Sequence, residues 1–276
     1  MSTIRNVLLH LDATPASAAR LEFARGFALR HEAALSAMFV AWPPQRPVQL
    51  AYSESPAALL PPMDWAAVDR TKSLFDNVFA DGGPPMRWSE SSDADTVEAF
   101  CRQALHADLL LLGQHDPSAA LSGSVPTGFV ESVLFGTDKP ALILPFAGRF
   151  ETAGRDVLIG WNATPRAARA VTAALPWLRT ARRVHVLEAA GEPAKHHAGG
   201  LDVAQYLQFH GIVPALHRHH ASPTDAGEVL LSFATEVGAD LMVIGCYGHG
   251  RARESIPGGA SRSVLQTMTL PVLMAH

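Results

Sequence analysis

The sequence predicts an α/β protein of two tandem domains, each built on a parallel sheet covered by helices. Two observations lead to this prediction: strand-like apolar runs alternate with segments of helical periodicity, and the chain repeats itself. NVLLHLDATP at 6–15 recurs as DVLIGWNATP at 156–165, and ADLLLLG at 107–113 recurs as ADLMVIG at 239–245. Recurrence in the same order indicates a tandem duplication.

A third match sets the limits of the two copies. SVL at 132–134 recurs at 263–265, each followed by a proline. We therefore expect one domain at 1–148 and a second at 154–276, joined by a short polar linker. The first copy is longer between its first and second matches, and we assign the extra residues to the proline-rich stretch 42–62, which is typical of a loop.

Each copy opens with a strand and then a helix. The apolar run at 7–11 is typical of a strand buried on both faces. Thr14 and Pro15 predict a helix start, because Thr favours the N-cap and Pro the first turn. Further strands of the first copy are expected at 35–40, 109–112 and 141–144, and further helices around 97–105 and 132–135. The second copy should have strands at 157–161, 183–188, 241–244 and 272–275, and helices at 167–178, 229–237 and 261–268.

Composition excludes several classes of partner. The formal net charge is −4, so no basic field exists to hold nucleic acid. No apolar run approaches the roughly 18–20 residues of a membrane span. Cys101 and Cys246 cannot build a disulfide framework, and the N-terminus does not resemble a secretory leader. We expect a cytoplasmic protein.

A glycine-rich segment follows the strand at 241–244. Gly245, Gly248 and Gly258 give the spacing Gly-x2-Gly-x9-Gly, and Gly259, Ala260 and Ser261 then open the last helix. Unpaired N–H groups and the helix dipole at such a start suit an anion. The P-loop lysine and the third glycine of the dinucleotide fingerprint are missing. Spacing alone supports a phosphate site and a purely structural turn equally.

The duplicated layout, the strand-end Asp12 and Asn162 followed by Ala-Thr-Pro, and the glycine spacing together resemble a tandem universal stress protein. The resemblance covers nearly the whole chain, once in each copy. It implies two open α/β sandwich domains, each with a five-stranded parallel sheet flanked by helices, as in the adenine nucleotide alpha hydrolase fold. It also implies binding of ATP, with or without Mg²⁺, or of a related adenine nucleotide.

The resemblance assigns the binding residues to the second copy. The phosphates would lie on Gly245, Gly248, Gly258, Gly259, Ala260 and Ser261. Asn162 would face the ribose, and the backbone near Leu187 would meet the adenine. Two positions depart from the family, which usually has an acid at Asn162 and a Ser, Thr or Asn at Gly259. Asn162 can still form a hydrogen bond with a ribose hydroxyl, without charge.

The first copy departs further from the family. Its loop has Asp116 where the second glycine belongs, and Thr127 replaces Gly258. A carboxylate in a phosphate cradle repels the ligand, although Asp12 retains the acid of the ribose corner. We therefore expect one nucleotide for each chain, bound by the second copy.

The resemblance also bears on assembly. Single-domain members dimerise through their last strands, so 141–144 and 272–275 should pair antiparallel within this chain. Dimerisation of the whole chain stays open as a further step.

Other candidate sites are weaker. His217 and His219 would share one strand face, but no further ligand completes a metal set, so we expect no metal site. Cys246 lies in the glycine segment, where a helix start can activate a thiol, although a small loop residue explains it as well. Acids near the helix starts, such as Glu98 and Glu228, complement the dipole. No catalytic nucleophile with its base is recognisable.

The sequence thus favours a stress-response protein that binds an adenine nucleotide and has a regulatory or protective role. Three alternatives remain open: slow ATP hydrolysis at the same site, a non-nucleotide interaction module, and binding of a hydrophobic ligand under a lid formed by 52–63.

Overall fold

The computed structural model describes residues 4–40, 65–91, 96–117, 128–189, 201–219, 222, 225–246 and 259–276. Within these ranges the strands are β1 Asn6–Leu11, β2 Ala34–Phe39, β3 Met86–Glu90, β4 Leu109–Gly113, β5 Ala141–Leu144, β6 Asp156–Trp161, β7 Arg183–Ala189, β8 Ala215–His219, β9 Leu241–Gly245 and β10 Val272–Ala275. The helices are α1 Ala16–His31, α2 Trp65–Val78, α3 Thr96–Ala104, α4 Phe129–Thr137, α5 Pro165–Leu178, α6 Val203–Phe209, α7 Ala226–Val237 and α8 Ala260–Thr267.

The chain divides into two compact units, which are Ile4–Thr137 and a second one that contains Asp138–His276. The strands of the N-terminal unit follow the order β3-β2-β1-β4, and all of these neighbours are parallel. In the C-terminal unit the order is β5-β10-β9-β6-β7-β8, in which the five strands from β10 to β8 are parallel. The predicted fold class, a mostly parallel sheet flanked by helices, is confirmed.

The division between the units falls earlier than the linker expected at 148–154. The reason is β5, which pairs antiparallel with β10 through Ile143 opposite Val272 and Leu142 opposite Leu273. Both strands are buried along their whole length, so this pairing removes two apolar edges from water. It is the strand pairing that the resemblance implied.

Four elements are absent from the strands and helices that the sequence pattern assigned: α2, β3, α6 and β8, although a strand through His217 and His219 was considered. The two strands lie at the ends of the strand order and are mostly exposed, so they have no continuous apolar run. The two helices are the crossovers that lead to them. The proline-rich stretch 42–62 lies outside the described residues.

An aspartate anchors the start of β1 in the N-terminal unit and of β6 in the C-terminal unit. Asp108 accepts hydrogen bonds from the backbone N–H groups of Arg5 and Asn6 at 2.8 and 2.9 Å. Asp240 accepts three such bonds, from Gly154, Arg155 and Asp156. These carboxylates precede β4 and β9 and satisfy N–H groups that no neighbouring strand reaches.

The two helix starts with the sequence Thr-Pro differ. Thr164 caps α5 as predicted, because its hydroxyl accepts from the backbone N–H of Ala167 at 3.2 Å. The matching prediction for Thr14 was wrong: α1 has no side-chain cap, and the Thr14 hydroxyl donates to Asp12 at 2.5 Å instead. The N-cap residue of α1 is Pro15, which has no side-chain oxygen to accept from the first turn.

No helix in the described part of the chain is both long and apolar enough to cross a membrane.

A histidine lies fully buried in the N-terminal unit, near the end of β1. The His10 ring packs against Phe129 at 4.7 Å and Phe100 at 6.0 Å between ring centroids, and its Nε2 lies 3.1 Å from the Val40 carbonyl oxygen. Its Nδ1 has no hydrogen-bond partner among the described residues. Burial, with the nearby Arg20 guanidinium, lowers the pKa of His10 to about 4.

This burial predicts a loss of stability in mild acid. The unfolded chain takes up a proton near pH 6.5 and the folded chain only near pH 4, so stability falls as the pH drops between these values. Between pH 7 and 4.5 the contribution of His10 is about 2 kcal/mol. Urea unfolding of the wild type and of His10→Leu should show a smaller acid-induced loss for the variant. Equal losses in both proteins would show that His10 is not the group responsible.

Candidate functional site

The predicted binding segment lies at the point of the C-terminal sheet where the order of the strands reverses. Strands β7 and β8 continue from β6 on one side, whereas β9 and β10 lie on the other. The register pairs Gly160 of β6 with Ile244 of β9. Gly245 therefore ends β9 beside the end of β6, and Asn162 follows directly. In parallel α/β sheets, a crevice at the carboxyl ends of such strands is where ligands bind.

Gly245 is a point of close packing. A Cβ there would meet the main chain at the first turn of α5, at Arg166 and Ala167. Only glycine lets the end of β9 approach this helix start so closely. The first function of Gly245 is therefore structural, and it places the strand end against two helix starts, those of α5 and α8.

The start of α8 completes the carboxyl edge. Gly259 is the N-cap with ordinary extended backbone angles, and no described side chain caps the helix. The Ser261 hydroxyl lies 3.4 Å from the Gly245 carbonyl oxygen, and this contact joins the first turn of α8 to the end of β9. Backbone N–H groups at an uncapped start are available to an anion.

Asn162 is exposed at the same edge. Its Oδ1 accepts a hydrogen bond from the Thr164 hydroxyl at 2.8 Å. Ala163, between them, adopts a left-handed conformation with φ of 53°. Thr164 in turn caps α5, so the Asn162 amide is held at the surface by the same residues that begin the helix.

Leu187, near which the adenine contact is predicted, lies within β7, two residues before the strand ends. It is fully buried in β7 and pairs in register with Gly160 on one side and His217 on the other. Its backbone thus lies inside the sheet. Ala189, two residues later, is the last residue of the strand; it pairs with His219 of β8 but lies beyond the last residue pair between β7 and β6.

Five of the eight predicted binding residues can therefore be placed together or near one another: Asn162, Gly245, Gly259, Ala260 and Ser261 lie at the carboxyl edge. Leu187 lies inside the sheet. Gly248 and Gly258 lie outside the described residues, and so does Thr127 of the first copy.

The corresponding corner of the N-terminal unit is closed. Asp12 is 4% exposed and forms an ion pair of 3.2 Å with Arg20. Burial raises the pKa of the Asp12 carboxyl, but Arg20, His10 and the hydroxyls of Thr14 and Ser17 outweigh it and lower this pKa to about 2. The retained acid is a buried structural anion, so it does not keep a ribose corner open.

The last helix of the N-terminal unit also lacks a cradle. Counting from the repeated SVL, Phe129 and Val130 stand where the C-terminal unit has Ala260 and Ser261. Both are buried, and Phe129 packs on His10. An aromatic ring thus fills the space beside the start of α4, and neither of these two residues offers a hydroxyl as Ser261 does.

Two histidines meet across β7 and β8. His185 Nδ1 lies 3.0 Å from His217 Nε2, while His217 and His219 both pack on Phe233. Burial and the neighbouring His217 lower the pKa of His185. The sequence missed His185 because it lies 32 positions before His217. No group of three metal-ligating side chains occurs among the described residues.

Cys246 is buried, and its backbone N–H donates to the Ala275 carbonyl oxygen at 2.9 Å. This favours the structural interpretation of the thiol. A cavity of about 280 Å³ opens elsewhere in this unit, on the β7–β8 face beneath the start of α6. Its wall carries the Glu188–Arg218 ion pair of 3.1 Å, neither member of which the sequence singled out.

No protein-family model matches the chain, and no curated protein matches it either. Solved structures do. A universal stress protein from Archaeoglobus fulgidus is 17% identical at a TM-score of 0.69, over 98% of this chain and 95% of that one. A functionally unknown protein from Pseudomonas aeruginosa is 15% identical at a TM-score of 0.60, over 99% and 92%. The chain therefore has the fold of a full-length universal stress protein structure.

The packing at Gly245 predicts a strong contrast between two glycines of the site. Gly245→Ala would push β9 away from α5 and should lower the free energy of unfolding by about 1–3 kcal/mol. Gly259→Ala is the matched control, since no atom of the described residues lies within 4 Å of a Cβ there and φ is −68°. Urea unfolding measures both. Equal stability of the two variants would contradict the close approach.

Proposed function

We propose that the chain is a universal stress protein that binds one adenine nucleotide, ATP with or without Mg²⁺, through its C-terminal unit. The supporting observation is the convergence of Asn162, Gly245 and the uncapped start of α8 at the switch between β6 and β9. The N-terminal unit has filled the same corner with its own side chains. Binding would serve a regulatory or protective role.

The arrangement suits an extended ligand along the strand ends. Phosphate would bind near the N–H groups at the start of α8, and the ribose would meet the Asn162 amide. The base would reach the end of β7, where we assign its backbone contact to Ala189 in place of Leu187. Strands β9 and β7 lie two spacings apart, roughly 10 Å, so a single nucleotide would cross β6 between them.

Isothermal titration of the full chain with ATP, with and without Mg²⁺, tests the proposal. We expect one site for each chain. Two equivalent sites would show that the N-terminal unit also binds. If ATP gives no binding heat and does not compete with AMP or cAMP, the non-nucleotide interaction module is favoured. Release of inorganic phosphate in the same samples would identify the slow ATPase.

A charge at position 259 should separate binding from folding. Gly259→Asp places a carboxylate at the N-cap, which stabilises the helix but repels phosphate. We expect ATP affinity to fall at least tenfold, the equivalent of about 1.4 kcal/mol. Gly259→Asn has the same shape without the charge and should bind ATP within about threefold of the wild type. The proposed phosphate position is wrong if the two variants bind ATP equally.

A further inference from the structure

The N-terminal unit has a buried ion pair where the C-terminal unit exposes an amide. Asp12 and Asn162 occupy the same place in the repeat, and so do Arg20 and Ala170. The side chains of Asp12 and Arg20 are 5% and 4% exposed, and their charged atoms lie 3.2 Å apart. Asn162, by contrast, is exposed.

One oxygen of Asp12 is saturated by this environment. Asp12 Oδ1 accepts from the Thr14 hydroxyl at 2.5 Å, the Thr14 backbone N–H at 3.0 Å and the Ser17 hydroxyl at 2.8 Å, besides its ion pair. Arg20 also donates to the Ser17 hydroxyl at 2.9 Å. In the C-terminal unit Ala167 stands at the place of Ser17, so neither the cation nor this hydroxyl has a counterpart.

The guanidinium needs the glycine that ends β4. A Cβ on Gly113 would overlap the Arg20 head group. At the equivalent Gly245, the space beside the strand is filled by the main chain of α5. The same glycine position thus admits an arginine in one unit and a helix start in the other.

We propose that Arg20 closes the N-terminal unit to nucleotides by occupying Asp12 permanently as an internal partner. The proposal rests on the proposed function of the C-terminal site. A ribose could reach Asp12 Oδ1 only by displacing charge-assisted hydrogen bonds inside the protein, which would leave a buried arginine unpaired. Arg20 is therefore a specificity-determining residue, and it makes the two units unequal.

Transfer of this arrangement to the C-terminal unit tests the proposal by ATP titration. Asn162→Asp alone restores a free acid and should bind ATP at least as tightly as the wild type. Asn162→Asp with Ala167→Ser and Ala170→Arg adds the internal partner and should weaken ATP binding about 10- to 100-fold. The matched control carries Ala170→Met in place of Ala170→Arg, which keeps the bulk but cannot pair with the acid.

Equal ATP affinity of the arginine and methionine variants would overturn the proposal. This holds if both variants bind ATP, and also if both are folded and neither binds it. If the wild type and Asn162→Asp bind no nucleotide, the proposed function itself fails, and this proposal falls with it. Circular dichroism first establishes that the variants fold.

A second measurement decides the matter should the crowded variants not fold. Carbodiimide with an amine modifies accessible carboxylates, and mass spectrometry locates the products. Asp12 of the wild type should react at least tenfold more slowly than the exposed Asp81, with or without ATP. Similar rates for the two residues would show that Asp12 is open to solvent and would overturn the proposal.

Discussion

The burial of parallel strands on both faces is the constraint from which the site follows. The strands β1, β4, β5, β9 and β10 are apolar along nearly their whole length, so polar groups that could contact a ligand are displaced to the strand ends. The register of β6 and β9 then brings two such ends together. The strands that follow β6 and β9 lie on opposite sides of this pair, which is the strand order at which α/β sheets form a ligand crevice.

The two units share one fold but differ in the side chains at the corresponding corner. In the C-terminal unit, small residues at 167 and 170 let α5 approach the glycine that ends β9, and the amide of Asn162 remains at the surface. In the N-terminal unit, Arg20 occupies the layer between α1 and β4 and draws Asp12 inward. The differences at these positions have to occur together. Arg20 without Asp12, or Asp12 without Arg20, would be an unpaired buried charge.

The mostly parallel sheet, the repeat and the location of the glycine segment were predictable because they depend on local pattern. Continuous apolar runs mark doubly buried strands wherever they occur, and a strand that leads into a glycine and a helix start has a local signature. Strands β3 and β8 were not predicted because each lies at an end of the strand order and is mostly exposed to water. Their sequences, MRWSE and ALHRH, therefore have no apolar run. The helices before them, α2 and α6, were not predicted either.

By itself, the sequence predicted the two-copy α/β architecture and placed Asn162, Gly245 and Ser261 at strand ends or helix starts, because repeated local patterns mark these elements; the family resemblance then assigned the three residues to one site. Only the tertiary structure decided that Asp12 is sequestered, that Leu187 lies inside the sheet and that β5 belongs with the C-terminal strands. These outcomes depend on contacts between residues distant in the chain, such as Arg20 beneath Gly113 and Ile143 opposite Val272. No local pattern encodes which of two equivalent corners is filled by its own side chains.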